Sequence, residues 1–346
     1  MTRRTLHRLL ATAAAACILP PWAAASDAAQ IAHIHPELRP FAEQLRTMFE
    51  SMPPLSAATL VATRQAMQAW VRPPLSAPAW RQLDIPGPAG APQVTVYVIN
   101  SVAGASRPAI LHMHGGGFVG GQAKEGLAEL QELAAILDCT IMTVDYRLAP
   151  ETSWSGSLAD NYAALEWLHG HAPALGIDPA RIAVMGESAG GGHAALLALK
   201  AGDIDKIPLV AQILIYPMLD DRTGVTVTPP HPIGSLVWTA ANNRFGWASL
   251  LGQAPGTDAV PHQAVPARRT DMKGLPPTFI GVGAVDLFVD EDIAYARALI
   301  DAGVQTELLV VPGAFHGFDR VAAQTKVAGD FTAAKVNALR RAFAIV

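Results

Sequence analysis

Short, almost wholly apolar segments alternate with helical patterns along most of this chain, and no other feature constrains the fold as much. Such segments are typical of strands buried on both faces. The helical patterns between them fall near residues 123–137, 157–170, 189–201 and 290–302. This alternation predicts an α/β fold with a mostly parallel, eight-stranded sheet and helices on both faces. The predicted strands are an opening pair, WRQLDIP (80–86) and QVTVYVI (93–99), then PAILHMH (108–114), TIMTVDY (140–146), RIAVMG (181–186), VAQILIYP (210–217), PPTFIGVG (276–283) and TELLVVP (306–312).

One long segment breaks the alternation. Residues 218–265 separate two predicted strands by far more than a normal crossover does. The segment carries three large aromatic residues, Trp238, Phe245 and Trp247, among many turn residues. We therefore interpret it as a helical cap inserted into the sheet domain.

Two further helical patterns precede the first strand, near residues 37–50 and 56–72. The proline-rich stretch RPPLSAP (72–78) separates them from the predicted sheet. The sequence thus predicts N-terminal cap helices over residues 26–78 and an α/β domain over residues 79–346.

The first residues have the features of a secretion signal. Arg3, Arg4 and Arg8 form a basic start, residues 9–25 are apolar, and the motif AAAS offers a cleavage site. Two consecutive prolines interrupt the apolar run, which argues against a stable membrane span. We expect a signal peptide over residues 1–25 and a secreted or periplasmic protein, with the general and the twin-arginine export routes both open.

The charge balance excludes one class of partner. The net charge is −4 over 346 residues, and no basic block follows the first residues. Nucleic acid is therefore not an expected partner. Export would also leave Cys139 as the one cysteine of the mature chain, which excludes an internal disulfide.

The segment RIAVMGESAGGGHAALLAL (181–199) carries the strongest chemical motif. A strand runs into G-E-S-A-G and then into an alanine- and leucine-rich helix, as in a nucleophile elbow. Gly186 and Gly190 flank Ser188 because a Cβ at either position would meet neighbouring backbone. The helix also directs its N-terminal N–H groups toward the serine. The alternative is a plain strand–helix turn in which Ser188 is only a cap residue.

A hydroxyl needs a base to act as a nucleophile, and His316 in VVPGAFHGFD is the candidate. It is the one histidine after Ser188 that follows a predicted strand between turn residues, so it can return to the strand ends. A surface-loop histidine is the alternative. For His193, on the helix after the elbow, we expect an inward packing role.

The base needs an acid that holds its tautomer and stabilises the imidazolium. In GVGAVDLFVDED (281–292), Asp286 comes directly after a predicted strand. Asp290 is the alternative, although its position suggests the N-cap of the next helix. The resulting order Ser188, Asp286, His316 is that of an α/β-hydrolase.

The segment HMHGGGFVGG (112–121) has five glycines in ten residues directly after a predicted strand. Bare backbone N–H groups there can hold the oxyanion of acyl transfer, where a side chain would block the approach. The predicted oxyanion hole consists of Gly115, Gly116 and Gly117, the last two most directly, with Ala189 from the elbow.

Two other interpretations of this segment have less support. A metal could bind His112 and His114, but no third ligand of matching spacing accompanies them. A phosphate cradle would require a following Lys-Ser or Lys-Thr, which is absent from this segment. We predict no metal and no cofactor.

Taken together, HGGGF, DYRLAPE (145–151), GESAGGG, YP (216–217), GLPPTFIGVGAVDLFVDED and PGAFHGF resemble the hormone-sensitive-lipase-like esterases, bacterial family IV of the α/β-hydrolases. The resemblance implies Ser188 as nucleophile, Asp286 as acid and His316 as base. It also implies an oxyanion hole from the HGGG segment with Ala189, and a cap built from the N-terminal helices and an insertion after YP. Two motifs depart from the family pattern: Glu187 replaces the aspartate of GDSAGG, and DLFVDE replaces DPLRDE.

These features predict a serine carboxylesterase whose partner is a small-molecule ester, with a homodimer left open. The resemblance implies short to medium acyl chains. Trp238, Phe245 and Trp247 are predicted to line an apolar substrate pocket, with packing of the cap on the body as the alternative. The same triad also serves lactones, carbamates or amides, and a few relatives are non-catalytic ligand receptors that typically lack the histidine.

Overall fold

The apolar segments of the chain form one eight-stranded sheet in the computed structural model, which describes residues 31–68, 71–204 and 206–345. The predicted signal peptide lies outside the described residues. Each of the eight predicted segments supplies one strand. Their bounds are β1 Trp80–Ile85, β2 Val94–Ile99, β3 Arg107–Met113, β4 Thr140–Asp145, β5 Ile177–Glu187, β6 Ala211–Ile215, β7 Thr278–Gly283 and β8 Thr306–Val311.

The strand order is β1-β2-β4-β3-β5-β6-β7-β8. Strand β2 is antiparallel to both of its neighbours, and every pairing from β4 to β8 is parallel. Strands β3, β4, β6 and β7 and the second half of β5 are almost wholly buried, as continuous apolar strands require when helices cover both faces. The predicted fold class is therefore confirmed.

The helices follow the predicted patterns with shifted ends. Short 3₁₀ turns occur at Pro36–Leu38, Ala123–Gly126, His262–Ala264 and Pro266–Arg268. The α-helices are α1 Arg39–Ser51, α2 Leu60–Gln68, α3 Leu127–Leu137, α4 Trp154–Gly170, α5 Ala172–Leu175, α6 Ala189–Ile204, α7 Ala240–Leu251, α8 Val289–Asp301, α9 Phe318–Val321 and α10 Lys326–Ala342.

Two differences from the sequence prediction have local causes. Helix α2 begins at Leu60 rather than near residue 56, because Thr59 closes a hydrogen-bonded turn onto Ser56 and Pro54. The C-terminal helix α10 was not predicted, although its Thr325 N-cap accepts a hydrogen bond from the N–H of Ala328.

Residues 34–346 form one compact unit. Among its described residues, one large and one smaller apolar cluster bear on the site. The larger cluster fills the space between the sheet and helices α4, α6 and α8. The smaller one, called the site cluster below, gathers residues from α2, the loops after β3, β4 and β7, the start of α6 and the segment 218–265. Its members are Leu60, Phe118, Val119, Ala149, Ala189, Met218, Trp238, Trp247, Leu250, Val260, Ala264, Val265, Leu287 and Phe288.

The parallel strands β3, β5, β7 and β8 end at the same edge of the sheet, where ligands bind in open α/β folds. The glycine segment, Ser188, Asp286 and His316 each follow one of these ends. Among the described helices, none has both the length and the apolar character needed to cross a bilayer.

Candidate active site

Ser188 lies on the sharp turn between β5 and α6, in left-handed backbone with φ 58°. A non-glycine residue adopts this conformation only where its surroundings enforce it. Three backbone hydrogen bonds do so here: the N–H of Ser188 donates to Ile215 at 2.9 Å, and its carbonyl accepts from Gly192 and Met218, each at 3.0 Å.

The two glycines that flank the serine are required by close backbone contacts. A Cβ added at Gly186 would lie 2.2 Å from the carbonyl oxygen of Gly190. One added at Gly190 would lie 2.0 Å from the carbonyl oxygen of Met113, at the end of β3. The second contact brings the elbow directly against the strand that leads into the glycine segment.

Ser188, His316 and Asp286 form a continuous hydrogen-bonded chain. The Oγ of Ser188 is 3.0 Å from Nε2 of His316, and Nδ1 of His316 is 2.8 Å from Oδ2 of Asp286. With its proton on Nδ1, the imidazole donates to the carboxylate and accepts from the hydroxyl. All three side chains are buried, so water competes little for these bonds.

The acid and the base are both held by neighbours that the sequence did not reveal. The N–H of Phe288 donates to Oδ1 of Asp286 at 3.0 Å, which leaves Oδ2 for the imidazole. The ring of Phe288 and that of Tyr216 meet the imidazole of His316 edge-on, at 5.3 and 4.8 Å between centroids. The hydroxyl of Tyr216 in turn donates to Asp319.

The alternative acid, Asp290, is exposed in the first turn of α8 and is not part of this chain. The prediction that Asp290 caps the helix is wrong, because α8 begins at Val289 and its N-cap is Phe288. The neighbouring Glu291 and Asp292 are buried, and this burial raises the pKa of both carboxyls well above the usual range. Glu291 accepts from the N–H groups of Leu219 and Asp220.

The glycine segment turns back on itself directly beside the elbow. Gly116 and Gly117 have φ values of 130° and 62°, and a Cβ on Gly115 would lie 3.5 Å from Cβ of Ser188. Within the described part of the chain, the backbone N–H groups of Gly116, Gly117 and Ala189 donate to no protein acceptor. These donors are therefore available for a negatively charged oxygen next to Ser188.

The two histidines of the segment have partners within the protein. His112 contacts Glu187 through Nε2 at 2.7 Å and Thr143 through Nδ1 at 2.8 Å. Burial would raise the pKa of Glu187, but His112 outweighs it and lowers that pKa to about 2. The ring of His114 stacks on Tyr146, and burial lowers its pKa to about 4. Across the described residues, no group of three or more His, Cys, Asp or Glu could hold a metal ion.

The three aromatic residues of the segment 218–265 contact the body of the protein. Trp247 is fully buried and meets the ring of Phe118 edge-on at 4.9 Å, and Trp238 is 6% exposed. Phe245 is half-buried against the site cluster. These contacts favour the packing alternative for Trp247, which has no exposed surface to offer a substrate.

Arg64 of helix α2 is a site neighbour that no sequence signal marked. Its guanidinium donates to the carbonyl oxygens of Val119 at 2.6 Å and Ala149 at 3.0 Å, and it pairs with Glu151 at 2.7 Å. The side-chain hydrogen bond from Arg64 lowers the pKa of Glu151 to about 2. Helix α2 is thereby tied to the glycine segment and to the loop after β4.

Comparisons with known proteins agree with this geometry. Residues 110–320 match a family described as having the alpha/beta hydrolase fold. The chain is 35% identical over 241 residues to the carboxylesterase NlhH of Mycobacterium tuberculosis, covering 68% of this chain and 74% of that protein. It is 33% identical over 285 residues to the esterase LipI of the same organism, covering 81% of this chain and 87% of LipI.

A solved structure extends the similarity to nearly the whole described chain. The structure titled Bacterial Heroin Esterase superposes with a TM-score of 0.81 at 36% identity, covering 90% of this chain and 99% of that one. The resemblance predicted from the motifs is thus confirmed. The chain belongs to the α/β-hydrolase family, in its hormone-sensitive-lipase-like branch, and it is a carboxylic ester hydrolase.

Proposed function

We propose that the protein hydrolyses carboxylic esters through an acyl-enzyme on Ser188, with His316 as general base and Asp286 as the acid that orients it. The observation that carries this proposal is the unbroken hydrogen-bonded chain from Oγ of Ser188 through both ring nitrogens of His316 to Asp286. Such a chain lets a buried hydroxyl pass its proton to the imidazole as it attacks.

In the first step, Oγ of Ser188 attacks the carbonyl carbon of the ester while its proton passes to Nε2 of His316. The carbonyl double bond becomes an oxyanion, which the N–H groups of Gly116, Gly117 and Ala189 stabilise. Each donor of this kind typically contributes about 3 kcal/mol to the transition state. The negative charge of Asp286 stabilises the imidazolium that forms, and the N–H of Phe288 holds the carboxylate in place.

In the second step, the oxyanion collapses, the ester C–O bond breaks and His316 returns its proton to the departing alkoxide, so an alcohol leaves. Water then attacks the acyl-enzyme and gives a proton to Nε2 of His316. Collapse of the second intermediate returns that proton to Ser188 and releases the carboxylic acid. Every proton is accounted for by this chain and water.

The proposed substrates are esters of short to medium acyl chains. Support comes from the resemblance to the hormone-sensitive-lipase-like branch and from relatives named as esterases. We assign residues 26–78 and 218–265 to a cap over the site, since α2 and α7 both contribute to the site cluster.

Residues 1–25 are proposed to direct export and to be removed afterwards. The mature N-terminus of protein recovered from the periplasm or medium, read by mass spectrometry, tests this proposal, and retention of the full signal in the cytoplasm would contradict it.

The remaining proposed partner is a second copy of the chain. Light scattering after gel filtration distinguishes a monomer from a dimer.

Hydrolysis of p-nitrophenyl esters from acetate to palmitate tests the function and the chain-length range together. We expect wild-type activity on the short and medium esters and at least a thousandfold loss in Ser188→Ala. Asp286→Asn should lose a similar factor, because the imidazole loses its tautomer control. Asp290→Asn is the matched control and should keep full activity.

The same assay separates the alternatives. Turnover of lactones, carbamates or amides in preference to every ester would replace the proposed substrate class. Binding of esters without turnover would indicate a receptor. Equal hydrolysis by wild type and Ser188→Ala would contradict the proposed nucleophile.

A further inference from the structure

The side chain of Trp238 packs directly against the predicted oxyanion hole. A Cβ added at Gly117 would lie 2.0 Å from Cη2 of Trp238 and 2.6 Å from its Cζ2. The edge of the indole therefore rests on Cα of Gly117, at a residue whose own φ is 62°. Phe118, the next residue, is also left-handed, with φ 67°. Glycine adopts this conformation freely, but a phenylalanine holds it only where the surrounding structure enforces it.

A strained backbone turn and a chain of buried hydrogen bonds together fix the position of the Trp238 ring. The N–H of Trp238 donates to the carbonyl of Leu236 at 2.8 Å across Val237, whose φ is 63°. This is a tight γ-turn with a β-branched residue at its centre, which is a rare and strained arrangement. Strained turns of this kind are concentrated at functional sites, where they hold a particular side chain in place.

A buried polar chain then fixes the orientation of the ring. Nε1 of Trp238 donates to Oδ1 of Asn243 at 3.1 Å, and Nδ2 of Asn243 donates to the carbonyl of Thr223 at 2.8 Å. Asn243 has no exposed surface, so losing either bond leaves a buried polar atom unpaired. The indole can therefore neither rotate nor withdraw without cost.

Helix α7 supports the same glycine from another side. A Cβ added at Gly246 would lie 2.6 Å from the carbonyl oxygen of Gly117 and 3.5 Å from Cζ2 of Trp238. Glycine in a helix interior is unfavourable, and close approach of another backbone is a reason to retain it. Gly117 is thus confined by the indole and by the backbone of α7 together.

From these contacts we infer that Trp238 and Asn243 are positioning residues of the oxyanion hole: the segment 218–265 sets the direction of the Gly117 peptide through the Trp238 ring. The inference rests on the proposed function, which places the Gly117 N–H against the oxyanion. It assigns Trp238 a part in transition-state stabilisation in addition to any contact it makes with substrate.

The test compares a matched aryl ester and aryl thionoester, in which C=S replaces the carbonyl. Sulfur is a weaker hydrogen-bond acceptor than oxygen, so the N–H donors of the hole contribute less to thionoester hydrolysis than to ester hydrolysis. Asn243→Leu removes the bond that orients Trp238, and Trp238→Phe keeps a buried ring but loses Nε1. We expect each to lower the ester-to-thionoester ratio of kcat/KM about tenfold, through kcat rather than KM.

Asn242→Leu, on the same helix, is the matched control and should keep the wild-type ratio. A merely structural role would lower both rates equally, so an unchanged ratio in the folded variants overturns the inference. If Asn243→Leu does not fold, Trp238→Phe decides the question. Failure of the proposed function gives a different result, because wild type and Ser188→Ala would then be equally active on the ester.

Discussion

The nucleophile elbow and the glycine segment both hold residues in left-handed backbone, but different parts of the chain enforce it. At the elbow, most of the contacts come from within five residues of Ser188 and from the adjoining strand ends. At the glycine segment, the contacts on Gly117 and Val119 come from Trp238, α7 and Arg64, far away in the sequence. The elbow is thus specified by a short motif whose other contacts lie at the ends of neighbouring sheet strands, whereas the oxyanion loop depends on elements outside the sheet that pack against it.

The largest effect expected from this comparison is that of a substitution at Gly190 in the elbow. In Gly190→Ala the new Cβ would meet backbone at Met113 and His114, at 2.0 and 2.6 Å, and strand backbone cannot move aside. We expect a loss of at least about 3 kcal/mol in the free energy of unfolding, with activity abolished. Urea unfolding followed by circular dichroism measures this loss.

Gly329→Ala is the control for this experiment, because a Cβ there meets no atom within 4 Å in helix α10. It should raise stability by about 0.5 kcal/mol. A Gly190→Ala protein with the wild-type urea midpoint would show that the elbow tolerates a side chain and that its glycine is not required.

At Gly117, the comparison predicts a defect that a distant substitution can relieve. Gly117→Ala would drive a Cβ into the indole of Trp238 and should lower kcat/KM about a hundredfold, since the peptide N–H moves out of line. In Gly117→Ala/Trp238→Leu the collision is removed. The double variant should therefore lose less than the sum of the single losses, by about 1 kcal/mol of coupling. Strict additivity in this double-mutant cycle would contradict the contact.

Arg64 tests whether α2 stabilises the loop from outside the sheet. Arg64→Met leaves the carbonyls of Val119 and Ala149 without their donor and should lower the free energy of unfolding by about 2 kcal/mol. Arg72→Met is the matched control, because Arg72 is half exposed and its ion pairs among the described residues are with Glu129 and Glu132. It should change stability by less than about 0.5 kcal/mol. Equal effects of the two substitutions on thermal unfolding would show that Arg64 stabilises the loop no more than an exposed arginine does.

The last expected effect is absent at neutral pH and develops only on acidification. It concerns His193, a buried ring against Phe118 and Tyr146 behind the glycine segment. Burial lowers its pKa from 6.5 to about 3. The unfolded chain takes up this proton below pH 6.5 and the folded chain does not, so stability is intact above that pH and falls as the solution is acidified toward pH 3. His193→Leu should reduce this slope by about 1.4 kcal/mol per pH unit.

The measurement is urea unfolding at pH values between 7 and 4, with the exposed His171→Leu as control. His171→Leu should keep the wild-type slope. An unchanged slope in His193→Leu would mean that the ring is protonated in the folded protein, contrary to its surroundings.

Much of the fold follows from local pattern. The eight strands were predicted because buried parallel strands are continuous apolar runs. The elbow was predicted because glycines stand at fixed offsets from Ser188, where a Cβ would meet the backbone of the motif or of β3. Helix ends were less well predicted. Asp290 has the composition of a cap, but the Asp286 turn starts the helix earlier, at Val289.

The sequence by itself determined the sheet, the elbow and the residue types able to form a triad and an oxyanion hole, since these depend on short-range periodicity and on backbone sterics. Only the tertiary structure decided which carboxyl reaches His316 and which ring rests on Gly117. It also decided which guanidinium binds the carbonyl of Val119. Such contacts join residues whose spacing in the chain carries no signal, because they arise where separate elements pack against each other.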